Sequence, residues 1–183
     1  TNSIQTTYME LTNPLAQMLC AVEDRIARIE GIRMIDRYTG QDTYELRPGV
    51  SSPTVLVDME DVEYEEMGGG CQMARATLSV RLYVANYASA CQTAPQNARM
   101  AAMSDLTTER ALVETLHGWA PTDEDGNEWA EPLIRMSSGN ENRNDIGLRV
   151  RVLRFATAWE ETVVPREKRK AQPRIETKKG RTR

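Results

Sequence analysis

From Pro53 to Tyr87 the chain reads as two extended runs joined across Met67, Gly68, Gly69 and Gly70. The second run alternates with a period of two. Leu78, Val80, Leu82 and Val84 point one way, and Thr77, Ser79, Arg81 and Tyr83 the other. Successive side chains of a strand face opposite sides of a sheet, so this pattern predicts a half-buried antiparallel hairpin. Three consecutive glycines supply the left-handed backbone that a tight reversal needs. The first run opens apolar at Pro53 to Val57 and then turns acidic, with Asp58, Glu60, Asp61, Glu63, Glu65 and Glu66 within nine residues. These acids occur at both parities of the strand, which predicts a projecting, solvated arm.

The rest of the chain has to pack against that hairpin. Asn13 and Pro14 form a helix start, with Asn as cap and Pro in the first turn. Leu15, Met18, Leu19, Val22, Ile26 and Ile29 then share one helical face, and Gly31 supplies a stop. Ile32 to Tyr38 alternates as a short strand, and Thr39 to Ser52 reads as a loop. Gln96 to His117 favours helix, either continuous or as a pair of helices broken near Asp105 to Thr108, and Gly118 and Pro121 end it. Strands are expected at Glu131 to Ser137 and Ile146 to Trp159, around a polar tip at Ser138 to Asp145. In the last strand Ile146, Leu148, Val150 and Val152 share a face. Leu153, Phe155 and Thr157 break that phase, which suggests a bulge near Val152.

The order predicts an α+β fold. A mostly antiparallel sheet carries an N-terminal helix and a second helix or helix pair, with a long projecting hairpin and an extended basic C-terminal tail. Residues 1–12 read as a flexible arm, 13–160 as one domain and 161–183 as the tail. No repeat and no alternating strand–helix series is present, which argues against a doubly wound enzyme.

Charge divides the chain. From Glu161 onward Arg166, Lys168, Arg169, Lys170, Arg174, Lys178, Lys179, Arg181 and Arg183 face only three acids. That surplus of six within an overall −4 leaves residues 1–160 at −10. The tail, with Pro165 and Pro173 and no apolar period, is expected to order only on an acidic neighbour or on phosphates, or to serve as a solubilising segment. No apolar run approaches the ~20 residues of a membrane helix, and no secretory leader opens the sequence. Together these features predict a protein made and used in a cytoplasm.

Chemistry is hard to find. Cys20, Cys71 and Cys91 are odd in number and widely spaced, which suits reduced thiols better than disulfides or zinc. His117, the sole histidine, sits at a helix end, where an imidazole suits the dipole. Gly68 to Gly70 is not followed by the Lys-Ser/Thr of a phosphate loop. Asp123 to Asn127 misplaces its glycine for a calcium loop and has Ile134 where the bidentate Glu belongs. No catalytic residue, metal site or cofactor is expected.

At Leu112 to Trp119, Pro132 to Ile134 and Phe155 to Thr157 the chain resembles the tail-terminator proteins of Mu-like contractile-tailed bacteriophages. The likeness extends to an N-terminal helix before an extended Pro53 to Val57 strand, and covers roughly residues 14 to 160. It implies a structural virion protein rather than an enzyme, assembled in the host bacterial cytoplasm and located at the tail–neck junction. Such proteins form a ring, typically hexameric, on the head-proximal end of the tail tube. They end tube polymerisation and present the surface for head–tail joining. The partners implied are other copies of the chain, the tail tube protein, a neck or connector protein, and a sheath or sheath-terminating protein. DNA would pass through without specific binding, and no membrane is involved. On this reading the arm acids Asp58, Glu60, Asp61, Glu63, Glu65 and Glu66 line the channel or a ring face, and the basic tail docks on a neck or sheath component.

Three other readings compete. A head-completion or neck protein of the same general architecture is the nearest. A small nucleic-acid-binding module would use the tail, against which stand the acidic body and the lack of an aromatic-lined basic surface. A metal-dependent hydrolase built on the acidic run is the third.

Overall fold

A computed structural model describes residues 13–43, 52–85, 88, 90–141 and 148–163. The expected N-terminal arm, most of the loop before Ser52 and the basic tail beyond Val163 lie outside the described residues. The elements are α1 (Pro14–Ile26), β1 (Met34–Arg37), β2 (Thr54–Gly68), β3 (Cys71–Val84), α2 (Gln96–Ala102), α3 (Ser104–Leu116), β4 (Ile134–Glu141) and β5 (Arg149–Thr162). One open sheet runs in the order β1-β2-β3-β5-β4, parallel between β1 and β2 and antiparallel elsewhere. The fold is α+β, as the sequence implies.

Helix α1 forms where its cap demands it. Asn13 Oδ1 accepts the amides of Leu15 (2.9 Å) and Ala16 (3.4 Å), and Pro14 opens the first turn. Met18, Leu19, Val22 and Ile26 are buried on the expected face. The helix ends at Ile26 rather than near Gly31, because the amides of Arg28 and Ile29 bond back three residues, to the Arg25 and Ile26 carbonyls, instead of four. Ile29 reaches the core from that turn. Arg25 donates from Nε to the Thr115 carbonyl at 3.2 Å and stacks 5.5 Å from the Trp119 ring centre, which ties α1 to the C-terminal end of α3.

The second helical region is two helices. The break falls at Met103, before the expected Asp105 to Thr108. Helix α3 turns Leu112, Val113 and Leu116 onto the sheet, where they meet Val55, Val57, Leu78, Val80, Leu82, Leu153 and Phe155.

The hairpin forms as expected, with Gly68, Gly69 and Gly70 all at positive φ. Two details differ. The arm is three-stranded rather than two-stranded, because β5 pairs with β3 from Val84↔Arg149 to Cys71↔Thr162. Its base is also buried on both faces. Opposite the helices, Leu56, Tyr83, Val150 and Val152 form a second, smaller cluster, roofed by Tyr38 and Leu148. That second cluster corrects the bulge expected near Val152, since the β3–β5 register has no shift. Apolar residues stand at both parities of β5 because both faces are covered: Val150 and Val152 on one, Leu153 and Phe155 on the other.

Bulges occur elsewhere, at Met59/Asp61 and Glu66/Gly68 in β2 and at Arg135/Ser137 in β4. The last two strands sit about three residues later than their alternation suggested. Glu131 to Leu133 are held in the connection, where Glu131 N–H bonds the Ala158 carbonyl and Leu133 N–H the Trp119 carbonyl.

Candidate assembly surface

The bulge at Glu60 organises the arm. Val57 and Met59 lie opposite Val80 and Leu78 on the helix-covered face, and Val62 lies opposite Ala76 on the same face. Glu60 is the extra residue between them. It shifts the parity of everything beyond, so Asp58, Glu60, Asp61, Glu63 and Glu65 share the face away from the helices. Only Glu66 joins Val62 and Tyr64. The parity count along the sequence had placed these acids on both faces, because an inserted residue is invisible to it.

The six acids do different things. Asp58 lies 3.9 Å from Arg37 of β1. Glu60 clasps Arg154 with both carboxylate oxygens (2.6 and 3.1 Å) and lies 3.7 Å from Arg81. The Arg81 side chain, only 12% exposed, also meets Glu141 at the end of β4 and stacks 4.5 Å from the Tyr38 ring centre. These groups bridge β2, β3, β5 and β4 across one face, so Glu60 is a tie within the sheet. Glu65 pairs with Arg75 at 2.7 Å, both exposed, while Glu66 accepts from Gln72 at 3.2 Å. Asp61 and Glu63 are exposed, and they border a shallow concavity with Arg75, Glu131, Pro132 and Ile134.

Two more polar clusters anchor the base. Arg151 pairs with Glu109 of α3 at 2.5 and 3.0 Å and donates to Asn140 at 2.6 Å. Burial pushes the Glu109 carboxyl up, but the Arg151 hydrogen bond and charge outweigh it and hold the group below its ordinary value. Arg149 donates to the Ala102 carbonyl at 3.0 Å and lies 3.7 Å from buried Asp105. On the opposite face the buried Tyr83 hydroxyl donates to Asp42 at 3.0 Å. Burial first, then the neighbouring Asp42 carboxylate, pushes that phenol well above the ordinary tyrosine value. Neither cluster was legible in the sequence, because both join residues far apart in the chain.

The residues weighed for chemistry have local roles. His117 Nδ1 accepts the Arg135 amide at 3.2 Å, at the start of β4. Asp123 takes the Asn127 amide at 2.8 Å and so closes a tight polar turn. Cys20, Cys71 and Cys91 are not joined in disulfides, and the Cys91 Sγ lies 3.2 Å from the Thr93 hydroxyl. Among the described residues no group of His, Cys, Asp or Glu is arranged to hold a metal ion, and no helix is long and apolar enough to cross a membrane.

Among the described residues the sheet leaves two open edges. β1 covers β2 only from Thr54 to Val57, so from Asp58 to Gly68 the outer edge of β2 has no strand partner among the described residues. β4 is the other edge. It is exposed over nearly its whole length and presents Ile134 (47%) and Met136 (66%) to solvent. Such edges carry unpaired backbone groups and are templates for another strand.

No family model matches the sequence, and no curated protein does. Among solved structures, the chain is similar to one in the virion of a native gene transfer agent particle. The TM-score is 0.54 at 14% identity, over 82% of this chain and 100% of that one. At that identity the likeness is one of fold.

Proposed function

We propose that this chain is a structural component of a phage-like particle and acts there as a tail terminator: a ring that caps the head-proximal end of the tail tube, stops its growth and offers the neck its attachment surface. The observation that carries this reading is the fold shared along the full length of a virion-particle chain. The surface chemistry agrees with it. Ring closure joins two different patches of neighbouring copies, and the exposed β4 edge with Ile134 and Met136 is suited to one side of such a joint. The solvent-facing acids Asp61 and Glu63 suit a wall past which DNA slides without being held. No bond-making site is part of the reading.

Native mass measurement with electron microscopy of the purified chain, and tail assembly with the chain omitted, test it together. The expected results are closed rings and overlong tubes. A monomer at high concentration, with tube length unaffected by omission, overturns the reading. Tubes of normal length that fail to join heads favour the second reading, a head-completion or neck protein of the same architecture.

A further inference from the structure

The open edge of β2 and the end of β5 lie at the same tip of the molecule. Val163 N–H bonds the Gly70 carbonyl at 2.8 Å, so the chain leaves β5 directly over the hairpin turn. Its backbone is laid so close there that a Cβ on Gly70 would stand 3.0 Å from the Val163 carbonyl oxygen. β5 and β2 are both antiparallel to β3 and so run the same way, toward this tip. A chain that crosses the turn and reverses therefore meets the outer edge of β2 in antiparallel sense.

We propose that the basic tail folds back over the glycine turn and adds as a further strand to the outer edge of β2, from Met67 toward Asp61, within its own chain. Crossing from β5 past β3 and β2 takes three strand spacings, roughly 14 Å, or about four extended residues. That brings Lys168, Arg169 and Lys170 opposite Glu65, Tyr64 and Glu63, with Glu66 one place away, and leaves enough chain to run the length of the edge. Lys168 and Lys170 share one side of an extended strand, and can take the side on which Asp61, Glu63 and Glu65 stand. The acidic neighbour that the tail's composition demands is then the chain's own arm. Tethering at Val163 favours this occupant over a second copy, because it holds the tail at high effective concentration beside the edge. The tail so placed covers a strand edge that would otherwise pair with other chains. This inference does not depend on the ring reading.

A zero-length carbodiimide coupling joins carboxylates to lysines only where they touch. Applied to an equal mixture of isotope-labelled and unlabelled full-length chain, it is expected to link Lys168 or Lys170 to Glu63, Glu65 or Glu66 within single chains. In the full-length triple variant Lys168→Glu, Arg169→Glu, Lys170→Glu those links vanish. Hydrogen exchange of the outward amides between Val62 and Met67 should then quicken at least tenfold, while the β3–β5 ladder stays protected and so reports an intact fold. Absent tail-to-arm links in the wild-type chain, links shared equally between labelled and unlabelled copies, or exchange unmoved by the triple variant each overturn it.

Discussion

The base and the arm of the sheet are made by the same strands, yet they are held together differently. At the base, Val55, Val57, Leu78, Val80, Leu153 and Phe155 are sealed under α1 and α3, while Leu56, Tyr83, Val150 and Val152 are sealed on the opposite face. In the arm, Glu63 to Met67 of β2 are exposed, and partners are single ion pairs and hydrogen bonds. The contrast teaches that strand continuity does not imply uniform stability. The base resists opening because apolar area leaves water there on two sides. The arm keeps its shape through ladder hydrogen bonds and turn geometry, which leaves its side chains available to a partner.

Breaking the base should have the largest effect. Phe155, fully buried, sits where α3 meets the sheet. Phe155→Ala is expected to cost about 3–5 kcal/mol in urea unfolding. A cost below about 1 kcal/mol would mean that the helix layer is not the main support.

Next comes the clasp between sheet and helix. Glu109→Gln strands a guanidinium whose side chain is 16% exposed, and should cost about 3 kcal/mol. The folded carboxyl of Glu109 lies below its ordinary 4.5. Its contribution is therefore whole above pH ~4.5 and is lost as pH falls through the folded value. Acid titration of the wild-type chain should show that loss, and Glu109→Gln should flatten it. Identical acid profiles would remove Glu109 from the account.

A smaller effect belongs to the arm tip. Gly70→Ala forces a Cβ onto a residue at φ +83° and toward the Val163 carbonyl. About 1–2 kcal/mol of local cost is expected, read as faster hydrogen exchange in β2 and β5 near the turn with the base unchanged. Loss of protection at the base as well would show that the two regions unfold as one.

The smallest stability effect sharpens the contrast most. Glu63→Lys with Glu65→Lys should cost less than about 1 kcal/mol in urea unfolding, since the ion pairs these acids make are exposed ones, yet impair ring formation or DNA passage in a tail assembly assay. Glu60 belongs to a different class from these two, because its clasp on Arg154 makes any substitution there a stability mutation first. Unchanged assembly by the double variant would count against an arm that faces a lumen.

Much of the base, and the turn at the arm's tip, were legible because local rules act there. Asn13 and Pro14 announce a helix, three glycines announce a reversal, and Leu78 to Val84 announce a strand. The misreadings concern what a residue meets elsewhere in the fold rather than what it prefers by itself. Val150 and Val152 beside Leu153 and Phe155 look like a slipped phase until Tyr38 and Leu148 are seen to roof the far side. The arm's acids look two-faced because the parity count cannot see Glu60 inserted. Arg151 with Glu109, and Arg154 with Glu60, are pairs between distant elements and leave no periodic trace. Assembly surfaces are harder still. An open edge is defined by the strand that fails to arrive, and no residue type encodes that.

One supernumerary position settles which way the arm faces. Were β2 to zip straight past Glu60, Val62 and Tyr64 would turn outward, and Asp61 and Glu63 would be driven against Ala74 and Ala76. Glu60's two-pronged grip on Arg154 acts as a peg that keeps the ribbon from sliding into this inside-out alignment. The handedness of the molecule's charge thus hangs on a single carboxylate holding its place in the count.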